Sequence, residues 1–289
     1  MEGMPTKRQM PTVRLRRLAA ELRRLRAGAD LTREDVTEQT GINTATLYRI
    51  ETARVRPQRR TLVALLDLYG VREPQRDEVL ALSQGASAQG WLRPYHSELP
   101  EEYTAYISFE AEARAVRNYE SLFVPGLLQT EDYARAVIKG VLPMASAREI
   151  EQRVQARVER QAVLVKNDPL HLWAIMDEAA LRRMVGGRDV MHKQLQHLTA
   201  ATREPHMTLQ VIPFGAGAHA GMPGSFVLMS FPEAEDPEIV YIDSMAGDLF
   251  LEAEADIRRY GAIFDNLRAV ALSPDETSNL IAALAKETQ

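Results

Sequence analysis

From Val13 onward the apolar positions Val13, Leu15, Leu18, Leu22 and Leu25 recur at helical spacing. They predict a helix from Val13 to Ala27, which Gly28 ends. Thr32, with Asp35 three residues on, caps a short helix from Arg33 to Gln39. Gly41 and Asn43 make a tight turn, and a third helix runs from Thr44 to Ala53. Pro57 breaks the chain before a helix from Gln58 to Tyr69, which carries Leu62, Leu65, Leu66 and Tyr69 on its apolar side. Gly70 stops it, and Pro74 opens a fifth helix that fades near Ser83. Ahead of all this, residues 1–11 hold Pro5 and Pro11 without apolar periodicity and read as a flexible arm.

The stretch SQGASAQG over 83–90 is small and polar, the mark of a linker, which we place at 84–90 after a first domain over 12–83. The second domain spans 91–289 and alternates between periods. Thr130 caps a helix through Gly140. Ser146 with Glu149 opens another that puts Ile150, Val154, Val158 and Val165 on one side. Leu170 to Met176 reads as a strand, Glu178 to Val185 as a short helix, and Asp189 as the cap of a helix to Arg203. Strand-like runs follow at Met207–Pro213, Ser225–Phe231, Glu238–Asp243 and, more briefly, Asp248–Leu251. Two helices close the chain, Glu252 to Leu272 and Pro274 to Lys286, the second capped by Ser273 with Glu276.

Strands this close in sequence pair antiparallel, because a parallel crossover needs a dozen or more residues. The expected fold is an N-terminal all-α domain of five short helices. A C-terminal α+β domain with a small, mainly antiparallel sheet follows it.

Charge then separates the two halves. The 289 residues carry a net charge of -5. Residues 1–82 hold 16 basic and 11 acidic side chains, a balance of +5, which leaves -10 for the rest. A basic end on an acidic body implies that the first part meets a polyanion and that the second would repel one. No apolar run is long enough to span a membrane, and the N-terminus lacks the apolar core of a signal peptide. The expected compartment is therefore the cytoplasm.

The short helices meet the physical needs of a helix-turn-helix. Val36 and Leu47 must be buried to clamp two helices at a steep angle, Gly41 supplies the turn, and Ile50 fixes the second helix to the body. The segment LTREDVTEQTGINTATLYRIETARVRP resembles the lambda-repressor/Cro-like (Xre-type) helix-turn-helix family at Leu31, Thr32, Gly41, Leu47, Ile50, Glu51 and Pro57. Arg33 stands where that family often has glutamine. The resemblance covers 14–71 and implies a DNA-binding protein. It implies that Thr44, Ala45 and Tyr48 face the major groove, that Asn43 and Arg49 sit at its edge, and that Arg33, Arg54 and Arg56 lie near flanking phosphates. The run Arg14, Arg16, Arg17, Arg23, Arg24 and Arg26 reads mainly as a solvated helix face, with some members turned to DNA. A dimer reading a palindromic operator is the expected binding form.

In the second domain VPGLLQTEDYARAVI, DEAALRRMVGG, QLQHL, LQVIPFGAGAHAGMPGSFVLMSF and ALSPDETSNLI resemble one actinobacterial regulator family. There an Xre-type domain precedes a domain of obscure activity. That resemblance implies an antitoxin-like regulator encoded beside a small partner protein; a small-molecule effector is the alternative. It supplies no catalytic residues.

The chemistry agrees. The chain has no cysteine, and its six histidines form no metal-binding pair. Gly215, Gly217 and Gly221 lie before a strand rather than a helix, so a hairpin loop is expected instead of a phosphate loop. Ser225 lacks the spacing of a nucleophile elbow. Asp177 and Glu178 read as a helix start, and Trp91, Tyr95, Tyr103 and Tyr106 as core or interface packing. No enzyme, cofactor or metal is expected.

Overall fold

A computed structural model describes residues 13–84, 99–232, 236–244 and 247–289. The expected arm at 1–11, Trp91, Tyr95 and all of the expected linker at 84–90 but Gln84, which ends a helix, lie outside the described residues. The chain divides into two compact units. The described residues up to Gln84 together with Pro100–Phe109 form one; Leu99 with Glu110–Gln289 forms the other.

The first unit contains the five expected helices: α1 (Val13–Gly28), α2 (Arg33–Thr40), α3 (Thr44–Glu51), α4 (Arg59–Leu68) and α5 (Gln75–Gln84). Each turns an apolar side inward. Leu18, Leu22, Val36, Leu47, Ile50, Leu62, Leu65 and Leu66 make one core in which each is at most 2% exposed. At about 1.5–3 kcal/mol for each fully buried aliphatic side chain, this cluster is the chief source of the unit's stability. Helix α3 stops at Glu51, short of Ala53, whose positive φ of 56° turns the chain away.

A sixth helix, α6 (Glu101–Glu112), was not expected, and the boundary between the units falls within it. Its Tyr103 and Tyr106 rings stack with centroids 6.3 Å apart.

The second unit is built on a six-stranded sheet: β1 (Ala115–Glu120), β2 (His171–Asp177), β3 (Met207–Ile212), β4 (Phe226–Ser230), β5 (Ile239–Ile242) and β6 (Leu249–Leu251). Their order is β3-β2-β1-β4-β5-β6. The pairs β1–β2 and β2–β3 are parallel, and the other three are antiparallel. The sheet is therefore mixed rather than mainly antiparallel. Helical crossovers explain this: α7 (Glu131–Val141) and α8 (Ala147–Glu159) join β1 to β2, and α9 (Glu178–Arg182) and α10 (Arg188–Ala201) join β2 to β3. The rule of short connections holds only for β4, β5 and β6.

Three local expectations are corrected. Gly187, with φ 92°, holds the N-cap position of α10, and Asp189 lies inside its first turn, where a carboxylate suits the helix dipole. The helix after Ser146 tightens into a 3-10 turn, Arg160–Leu164, which leaves Val165 83% exposed instead of on the apolar side. The loop with Gly215 and Gly221 is no hairpin, because β3 and β4 are separated by two strands. It crosses the ends of β2 and β1. His219 Nε2 lies 3.2 Å from Asp177 Oδ2, and a Cβ on Gly221 would fall 2.4 Å from the Tyr119 ring, so only glycine fits there.

One face of the sheet packs Tyr119, Ile175, Phe226 and Val240 against Phe264 and Leu267 of α11 (Glu254–Val270). The last helix, α12 (Pro274–Glu287), begins with the expected Ser273–Glu276 capping box. Its Thr277 hydroxyl accepts a hydrogen bond from Val211 N at 3.0 Å, occupying the β3 edge.

At the end of β1, Glu120 meets the start of β4. Burial pushes its carboxyl up to about 7, against hydrogen bonds from Ser225 and Asn118; Asp243 raises it further and Arg157 opposes.

Candidate nucleic-acid interface

Local chemistry sets the α2–α3 geometry. The Thr32 hydroxyl accepts from Asp35 N at 3.1 Å while Asp35 accepts from Thr32 N at 2.8 Å, closing both orphan donors of the α2 start. These Thr32 bonds hold the Asp35 carboxyl below its ordinary range. Gly41 takes φ 71° and ψ 5°, a left-handed cap whose N–H donates to Thr37 O. Asn43 then caps α3, its Oδ1 accepting from Ala45 N at 2.9 Å. The hydroxyls of Thr37 and Thr44 lie 3.0 Å apart and pin the two helices across the turn.

With Leu47 and Ile50 buried, the opposite side of α3 presents Ala45, Tyr48 and Arg49 to solvent. Asn43 is exposed beside them, and Thr44 is half-buried. The Arg49 side chain lies along its own helix, donating to Ala45 O at 3.3 Å and to Thr46 Oγ1 at 3.2 Å. These long, surface bonds leave it free to be redirected by a stronger acceptor. The Tyr48 ring, 40% exposed, has the Arg33 guanidinium 5.3 Å and the Arg54 guanidinium 5.5 Å from its centroid. Three of the expected DNA-facing residues thus form one cluster. Arg54 is exposed and Arg56 half-buried on the segment after α3.

Glu51 organises this cluster from inside, a role that sequence reading did not assign. Its carboxylate is fully buried and accepts from Arg26 at 2.6 Å and from Arg33 at 2.7 Å. Arg23 donates to its backbone carbonyl, and Arg24 pairs with Glu21. Arg23 and Arg26 therefore tie α1 to α3 and do not belong to a simple solvated face. The signal available was the Glu51 that follows Ile50; its partners are 18 and 25 residues away, beyond any local pattern.

Residues 17–79 match the helix-turn-helix domain model. Residues 103–283 match the model described as Domain of unknown function (DUF5753). The chain belongs to the DUF5753 family. No match is found among curated proteins or among solved structures. In this DUF5753 protein the basic N-terminal unit is a helix-turn-helix DNA-binding domain, and the mixed sheet with its surrounding helices is the DUF5753 domain.

Between α2 and α3 lies an open depression of about 620 Å³, lined by Arg33, Glu34, Thr44, Ala45 and Tyr48 among others. Its open shape and basic rim suit a ridge of DNA backbone better than an enclosed ligand. Among the described residues no helix is long and apolar enough to cross a membrane. No group of three or more histidine or acidic side chains among them is placed to hold a metal ion.

Proposed function

We propose that this DUF5753 protein is a sequence-specific transcriptional regulator of the Xre type. A homodimer places two α3 helices about one helical turn apart on a palindromic operator. The observation that carries the reading is the Arg33–Tyr48–Arg54 cluster beside Arg49, on the side of α3 opposite the buried Leu47 and Ile50. Base edges are read by Asn43, Thr44, Ala45, Tyr48 and Arg49, and phosphates are held by Arg33, Arg54 and Arg56. Footprinting of the full chain on its own upstream region tests this. A protected palindrome supports it, and uniform sequence-independent binding defeats it.

For the DUF5753 domain we propose an antitoxin-like role, binding a small protein encoded by the adjacent gene. Its negative charge keeps it off DNA. Exposed Leu122, Met184, Phe214 and Met222 all lie in loops that follow β1, β2 with α9, and β3, which supports a protein-binding end. Co-purification of the two gene products over a range of salt tests this. A second reading, sensing of a small-molecule effector, is favoured by an apolar concavity of about 460 Å³ beside α10. Neither reading assigns the chain a catalytic activity or a cofactor.

A further inference from the structure

The concavity beside α10 is built from turns and strand ends of the fold as well as from surface side chains. Leu128 comes from the 3-10 turn Gly126–Leu128, Leu164 from the turn Arg160–Leu164, and Met207 from the first position of β3. Ala200 and Ala201 supply the α10 wall, where small side chains leave the space open. Hydrogen bonds fix these walls before any ligand arrives. Gln161 Nε2 donates to Gln129 O at 2.7 Å, Leu170 N to Val163 O at 3.0 Å, and Leu172 N to His206 O at 2.9 Å. A volume of about 460 Å³ falls within the range of small-molecule sites, roughly 300–1,000 Å³.

Five polar side chains stand on this apolar lining: Gln161, whose amide already donates to Gln129 O, and His197, His206, Lys166 and Glu204. His206 Nε2 is buried without a hydrogen-bond partner. A buried polar atom left unpaired is costly, and a ligand group reaching it would remove that cost. Partial desolvation pulls the His197 pKa below its ordinary value, which disfavours its charged form. The charges of Lys166 and Glu204 are opposite, so the lining favours neither an anion nor a cation.

We propose that this concavity is an effector site for an uncharged amphipathic small molecule, an apolar body bearing one carbonyl or hydroxyl group that hydrogen-bonds His206. The proposal rests on the effector reading of the DUF5753 domain and names its ligand class. The apolar body lies on Leu128, Leu164 and Met207, and the polar group faces the histidines.

The test uses the full chain with nitrogen-labelled histidine and three probes of similar size: benzylacetone, hydrocinnamate and phenylpropylamine. Benzylacetone is expected to shift the His206 imidazole resonances and raise the thermal midpoint by mass action. The anionic and cationic probes are expected to bind about tenfold more weakly or less. Ala200→Trp, at an exposed helix position, fills the space and should abolish both the resonance shift and the rise in thermal midpoint; His206→Phe should abolish the rise in midpoint through loss of the polar group. The proposal is overturned if benzylacetone leaves the histidine resonances unmoved at millimolar concentration. Undiminished binding to Ala200→Trp, or equal binding of the charged probes, overturns it as well. DNA binding of the same samples is measured separately, so failure of the regulator reading is distinguishable from failure of the pocket.

Discussion

The carboxylate of Glu51 lies wholly inside the helix-turn-helix domain, yet its Oε2 accepts a hydrogen bond from Nε of Arg33 at 2.7 Å. Arg33 is 33% exposed and stacks beside Tyr48, so one ion pair joins the core to the surface proposed to face DNA. A buried carboxylate is tolerated only when paired, and here Arg26 completes the pairing.

Replacing Glu51 with glutamine keeps the shape and removes the charge. Arg26 and Arg33 then lose their counterion in a partly dry site. Breaking a buried pair costs about 3–5 kcal/mol, and the low end applies because both guanidiniums keep some access to water. Glu51→Gln should lower the denaturant midpoint of the N-terminal domain accordingly, with an unchanged slope. A midpoint equal to wild type would remove the carboxylate from its organising role.

At the surface the expected effects divide by contact type. Tyr48→Ala and Arg49→Ala should weaken operator binding by about 1–3 kcal/mol while leaving the fold intact, because both side chains lie outside the core. Arg54→Ala should weaken all DNA sequences alike and reduce the salt slope by about one unit. Gel shifts on operator and scrambled duplexes across a salt series separate the two patterns. If Arg54→Ala changed sequence preference instead, its assignment to phosphate would be wrong.

Gly41 offers a cleaner test of backbone geometry. An added Cβ meets nothing within 4 Å, so any cost of Gly41→Ala comes from φ 71° alone. That cost is about 1–2 kcal/mol for an ordinary L-residue. Gly41→Asn should lose less, because asparagine enters the left-handed region more readily. Urea titration of both variants checks the order; equal losses would point to a steric cause.

The legible parts of the chain were those whose causes are local. The caps at Thr32 and Ser273, the left-handed Gly41 and the apolar faces of α1 to α5 are written within a few residues of where they act. Strand β1 was missed because its sequence AVRNYE places Arg117 and Asn118 in the middle of a strand. Asn118 is buried only because its amide donates to the carbonyls of Tyr119 and Phe226, the latter 108 residues away. The long helical connection between β2 and β3 already implied a parallel pair; only the place of β1 between β2 and β4 was out of reach. In the Arg33–Tyr48–Arg54 cluster the residue types were legible but their coupling was not. Arg33 and Arg54 meet on Tyr48 only after α2 and α3 have packed.

Glu120 gives the DUF5753 domain a pH dependence whose sign follows from its surroundings. Burial holds the folded-state carboxyl near 7, well above the ordinary glutamate range, despite hydrogen bonds from Ser225 and Asn118 and the nearby Arg157; Asp243 pushes the same way as burial. The fold therefore prefers the protonated form. Stability from this group is complete at and below the pH where the unfolded carboxyl titrates. It declines as pH rises toward about 7 and is flat above that. Glu120→Gln mimics the protonated side chain and should remove the decline. The variant is expected to match wild type at about pH 5 and to unfold at a higher temperature than wild type at about pH 8. Calorimetry at the two values reads this directly, following the transition of the C-terminal domain. A variant that loses stability equally at both would show that Glu120 acts through its shape and hydrogen bonds, with no contribution from its proton.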